Sequence, residues 1–263
     1  MLLRLVRERL DPFLSLPDPA APSLAEVRDV TLAGVPCRLY RPEAPGDALM
    51  VFLHGGGLVS AGIETHDSAC RWLAHETGLS VLSVGYRLAP EHRWPAAWDD
   101  ARAVLGAAGR GDATGLKPGQ LLCGGDSAGG LLAALLAQEV DGLALFYPLL
   151  SLYPAAGDPL LLRLARQRIR RLVVDGKEPR PELSLLRDAP RRLPNTIIVS
   201  GGRDPTRLDA RRLCARLNEA GRPVIEHTEP RATHGFLNMT RVSPEALAQT
   251  RRSAAAVRAV IAP

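Results

Sequence analysis

The chain has 263 residues, 46% hydrophobic and 23% charged, with a net charge of +5, which suits a soluble globular protein carrying one large α/β core. Its cations are 31 Arg and 2 Lys, spread along the chain with no basic run interleaved with aromatics, which argues against a nucleic-acid binder. No stretch approaches the roughly 20 apolar residues that span a bilayer.

In "MLLRLVRERLDPFL", Leu3, Val6 and Leu10 are spaced for one face of a short helix, while Arg4, Arg7 and Arg9 interrupt any signal-peptide core. Cys37, Cys70, Cys123 and Cys214 lie far apart, without metal or redox spacing, so nothing demands an oxidising compartment and the expected location is cytoplasmic. After a proline-rich break at 15–22, Val27–Leu32 and Val35–Tyr40 predict an antiparallel hairpin turning at Ala33-Gly34.

Apolar runs then alternate with helix-compatible segments. The runs are Leu49–Leu53, Leu79–Tyr86, Gln120–Cys123, Leu143–Tyr147, Thr196–Ser200 and Val224–Glu229. Several lack strict alternation, as expected of parallel strands covered on both faces. Together with the hairpin they predict an eight-stranded, mostly parallel sheet flanked by helices. The spacer between Tyr147 and Thr196 is too long for a simple crossover. Within it, 160–174 reads as an amphipathic helix with Leu162, Ala165, Ile169 and Leu172 or Val173 inward and an Arg-rich solvated face. Ser243, Pro244 and Glu245 predict the start of a last helix.

The chemistry concentrates in three places. Gly125-Asp126-Ser127-Ala128-Gly129 fits G-x-S-x-G between a strand and a helix, a sharp turn that exposes a serine hydroxyl at a helix N-terminus. His54-Gly55-Gly56-Gly57 follows another apolar strand, and successive glycines there allow backbone N–H groups to face a developing oxyanion. A serine hydroxyl needs a base and the base needs an acid. Of the two histidines after Ser127, His227 falls inside the last strand, whereas His234 lies in a loop beyond it. Asp204 lies in the loop after the preceding strand, while its rival Asp209 falls in a helical pattern. The expected triad is therefore Ser127, Asp204 and His234. His66, His75 and His92 lack zinc-site spacing and are expected at packing or surface positions.

"HGGG" (54–57), "YRLAPEHRWPAAWDD" (86–100), "GDSAGG" (125–130), "GGRDP" (201–205) and "HGF" (234–236) together resemble the hormone-sensitive lipase family (bacterial family IV type) of serine esterases, within the α/β-hydrolase fold. The resemblance implies a serine carboxylesterase acting on short- to medium-chain acyl esters, with no cofactor or metal. It implies Gly56, Gly57 and Ala128 as oxyanion-hole donors, with Gly55 as a substitute for one of them, and His54 as the residue orienting the glycine loop. It implies that Glu91 and Asp100 support the site and that Asp126 shapes the turn. It further implies a single domain over 1–263 with small cap elements from about 1–25 and 150–192. The partner expected is a small-molecule ester, and the family often forms homodimers. Relative to the family, the N-terminal segment is short and the insertion at 148–195 is modest and Arg-rich. No long apolar lid demands an oil–water interface. Lactonase, deacetylase and acyltransferase activities share this triad, and a ligand receptor on the same fold is the non-catalytic alternative.

Overall fold

The computed structural model describes residues 2–113, 115, 117–175, 180–186, 193–222 and 224–261. The predicted N-terminal helix is longer than one turn. It runs as α1 (Leu2–Leu5), a π-wound stretch (Val6–Leu10) and α2 (Asp11–Leu14). The hairpin follows as β1 (Glu26–Leu32) and β2 (Val35–Arg41), turning through Ala33 and Gly34, both at positive φ as tight hairpin turns require.

The alternating part then runs β3 (Ala48–Leu53), α3 (Asp67–Thr77), β4 (Ser80–Val84), α4 (Ala96–Gly109), β5 (Gln120–Asp126), α5 (Ala128–Leu135) and β6 (Gly142–Phe146). It continues with α6 (Leu160–Val173), β7 (Asn195–Gly201), α7 (Arg207–Glu219), β8 (Ile225–Glu229) and α8 (Pro244–Val257). The sheet order is β1-β2-β4-β3-β5-β6-β7-β8, with β2 antiparallel to both neighbours and β4 through β8 mutually parallel.

Burial explains the patterning. β3, β4 and β6 are buried at every position, whereas the edge strands β1 and β8 are largely accessible. Along β3, Leu49, Val51 and Leu53 pack on one face with α4 and α5, while Met50 and Phe52 pack on the other with α3 and α8. A strand sandwiched between two helical layers needs apolar residues at both parities, so its sequence cannot alternate.

Two strand boundaries differ from the sequence reading by more than one residue. β5 carries on through Gly124, Gly125 and Asp126, because the β3 and β6 ladders continue to that depth. β4 stops at Val84, short of the apolar run's end at Tyr86, where β3 also stops pairing. In α6, Ala165 is exposed and Arg166 is fully buried, reversing the expected inward face at that turn. Part of the segment expected as a cap (176–179 and 187–192) lies outside the described residues.

Candidate active site

Ser127 alone makes the turn from β5 into α5. Its φ of 50° and ψ of −117° form a backbone conformation that an L-residue enters only when its surroundings impose it. Close approach imposes it here. A Cβ on Gly129 would stand 1.9 Å from Leu53 O, and one on Gly125 would stand 2.5 Å from Gly129 C. The glycines therefore let α5 begin against the end of β3. Ser127 N donates to Phe146 O at 3.0 Å, and Ser127 O accepts from Leu149 N at 2.9 Å.

The loops after β5, β7 and β8 bring the three predicted side chains together. Ser127 Oγ lies 2.9 Å from His234 Nε2, and His234 Nδ1 lies 2.7 Å from Asp204 Oδ2. A buried carboxylate at Nδ1 favours the tautomer protonated there, which leaves Nε2 to accept the serine proton. The other Asp204 oxygen accepts from Thr206 N at 2.7 Å and Thr206 Oγ1 at 2.8 Å, so the carboxylate is oriented before it meets the ring. Tyr147 holds the imidazole edge-on at 5.1 Å.

The rejected alternatives sit elsewhere. His227, on β8, pairs with Glu229 at 2.9 Å. Asp209, on α7, is fully buried; its Oδ1 takes Arg166 Nη2 at 2.7 Å and its Oδ2 takes Leu150 N at 2.9 Å.

Beside Ser127, the loop 54–57 turns through Gly56 (φ +96°) and Gly57 (φ +68°). A Cβ on Gly56 would stand 2.2 Å from Ser60 O. Among the described residues no acceptor takes the amides of Gly56 or Gly57. Gly55 behaves differently: its amide donates to Asp126 Oδ1 at 2.7 Å, so it is committed to the protein and not available as a substitute donor. His54 stacks on Tyr86 at 4.2 Å and its Nδ1 lies 2.8 Å from Gly55 O; burial pushes its pKa down to about 3, leaving a neutral ring that braces the loop.

Sequence reasoning missed a polar relay behind this loop. Asp126 is buried, which by itself would raise its pKa, yet the charge and hydrogen bond of His66, with help from His54 and Gly55 N, hold the carboxyl below its usual range. His66 Nε2 stands 3.1 Å from Asp126 Oδ1, and the Asn238 carboxamide lies 2.9 Å from the same nitrogen. His66 was expected only as a packing or surface histidine. No local motif marks it, because its partner lies 60 residues away across two strands.

A cleft of about 500 Å³ opens over Ser127 and His234. Its walls come from Val6, Leu10 and Leu14 on one side and Leu162 and Ile169 of α6 on the other. Each wall has a charged anchor. Arg7 pairs with Glu91 at 2.6 Å and donates to Val59 O and Ala89 O. Arg166 pairs with Asp158 at 3.0 Å and Asp209 at 2.7 Å, and also donates to Ser151 O. Glu91 thus holds the N-terminal segment, whereas Asp100 pairs with Arg87 at 2.7 Å and braces the loop after β4.

A family model described as the alpha/beta hydrolase fold matches residues 50–238. The "Carboxylic ester hydrolase LipN" of Mycobacterium tuberculosis is 34% identical over 89% of this chain and 70% of its own length. The "Esterase LipI" of the same organism is 33% identical over 92% of this chain and 85% of its own. The crystal structure of esterase LipW from Mycobacterium marinum superposes with a TM-score of 0.84 at 30% identity, covering 99% of this chain and 90% of that one. With the geometry above, these likenesses place the chain in the α/β-hydrolase fold family. Within that fold it belongs to the hormone-sensitive-lipase-like branch of ester hydrolases.

Proposed function

We propose that this protein is a serine carboxylesterase working through Ser127, with His234 as base and Asp204 as the acid that orients it. The observation that carries the reading is the continuous chain Ser127 Oγ–His234 Nε2 at 2.9 Å and His234 Nδ1–Asp204 Oδ2 at 2.7 Å, at the floor of an apolar cleft. Relatives named carboxylic ester hydrolase and esterase support the same activity.

In this mechanism His234 takes the Ser127 proton as the oxygen attacks the ester carbonyl. The oxyanion is met by the amides of Gly56, Gly57 and Ala128, the last at the N-terminus of α5, where unpaired N–H groups and the helix dipole favour negative charge. His234 then protonates the leaving alcohol. Water, deprotonated by the same ring, releases the acid. No step needs a metal or cofactor. The N-terminal segment and the 150–192 segment act as a small cap on one α/β-hydrolase domain. Four free, buried thiols suit a reducing compartment, and the cytoplasm is the location we infer.

The test is hydrolysis of p-nitrophenyl esters of increasing acyl length by the parent and Ser127→Ala. Fast turnover of short and medium chains, lowered at least about 10⁴-fold in the variant, is the expected result. A variant as active as the parent would remove Ser127 from the mechanism.

A further inference from the structure

Exposed apolar side chains are not scattered over this protein. Of the nine large ones among the described residues, seven belong to the two segments that wall the cleft. Leu160, Leu161 and Leu164 of α6 are 69%, 80% and 52% exposed. Leu5, Leu10, Phe13 and Leu16 of the N-terminal stretch are 45–56% exposed. Leu10 and Leu161 both line the cleft, so the two groups share its rim.

The same face is cationic. At 100° per residue, Leu162, Arg166 and Val173 mark the buried side of α6, and Leu160, Leu164, Arg168 and Arg171 fall together on the opposite side. Arg9, Arg163, Arg168 and Arg171 are exposed and make no ion pair among the described residues. Of the nearby acids, Glu8 pairs with Arg4, Asp158 with Arg166 and Arg212, and Asp175 with Arg93, while Asp11 accepts from Ala61 N.

We propose that the cleft-rim face built by α6 and the N-terminal helical segment docks on a negatively charged lipid surface. Leucines at the front of α6 enter the apolar boundary while Arg168 and Arg171 meet anionic headgroups, as on other helices that lie in an interface. Charge decides against the alternative occupant. A second copy would set unpaired arginines against arginines, whereas an anionic surface neutralises them. Docked this way, the cleft mouth faces the layer from which apolar esters would enter, without a long lid to move. The docking itself does not depend on the triad.

Sedimentation with vesicles of equimolar phosphatidylcholine and phosphatidylglycerol, against vesicles of phosphatidylcholine alone, tests the proposal. The parent protein is expected to pellet with the anionic vesicles, more weakly in high salt. Two variants, Arg168→Glu/Arg171→Glu and Leu160→Ser/Leu164→Ser, are each expected to bind at least about tenfold more weakly. Both should keep parental turnover of water-soluble p-nitrophenyl acetate, which shows that they fold. A parent that stays in the supernatant, variants that bind as well as the parent, or equal binding to neutral vesicles would overturn it. So would a dimer, seen by light scattering without lipid, that Leu160→Ser/Leu164→Ser dissociates, which would assign the face to a second copy. An inactive parent that still pellets would count against the esterase reading alone.

Discussion

The floor of the cleft and its walls are built by different means. At the floor, backbone meets backbone: Gly129 lies so close to Leu53 O that no Cβ fits, and Ser127 is held at a positive φ by its neighbours. At the walls, amphipathic segments lean over the sheet and are anchored through side chains, chiefly Arg7 on one side and Arg166 on the other. The floor therefore has one arrangement, which chemistry requires, because an error of an ångström in a catalytic group is costly. The walls can change side chains without disturbing that arrangement, which leaves pocket size and rim character free to vary. Arg166 adds a further contrast. It is a fully buried cation in an otherwise apolar wall, and it is tolerable only because Asp158 and Asp209 surround it.

The largest expected effect would come from breaking the wall's anchor. Arg166→Met leaves the buried Asp158 and Asp209 with Arg212 as the one cation beside them among the described residues, and should destabilise the protein by about 3–5 kcal/mol, read from guanidinium unfolding. If α6 is an independent wall, the surviving folded enzyme should lose selectivity between acyl lengths more than it loses turnover of the shortest ester.

A change at the floor should act differently. Gly129→Ala forces a methyl against a backbone carbonyl and should cost about 3 kcal/mol, the upper range for overpacking. Because the shift moves the start of α5, activity should fall on every ester alike. A uniform loss here and a selective loss at Arg166 would sharpen the division; the reverse pattern would break it.

The smallest effect tests the relay behind the loop. Asp126→Asn keeps an acceptor for Gly55 N but removes the charge facing His66, and should cost about 1–3 kcal/mol at neutral pH with a modest fall in kcat. The folded protein holds the Asp126 pKa below its unfolded value, so the charge contributes fully above about pH 4 and is lost as pH falls through the lower folded value. The stability gap between parent and variant should be constant from neutral pH down to about 5 and close below about 4. A gap that persists in acid would mean that the carboxylate's charge is not what matters.

What the sequence by itself determined is the part with local cause. Strand runs were legible because both sheet faces are covered, and the turn at Ser127 was legible because close backbone approach leaves no room for a Cβ at positions 125 and 129 on either side of it. Asp204 and His234 could be separated from Asp209 and His227 because loop and helix or strand positions leave a mark in local pattern. Only the tertiary structure decided the rest. Whether Arg166 points to water or to the core depends on Asp158 and Asp209, one before α6 and one on α7. Whether Gly55 serves an oxyanion or the protein depends on Asp126, 71 residues later. The pairing of His66 with Asp126, and the meeting of two leucine-bearing segments at one rim, likewise join residues far apart in the chain. Such contacts follow no sequence period, because they are set by how layers pack after the local elements have formed.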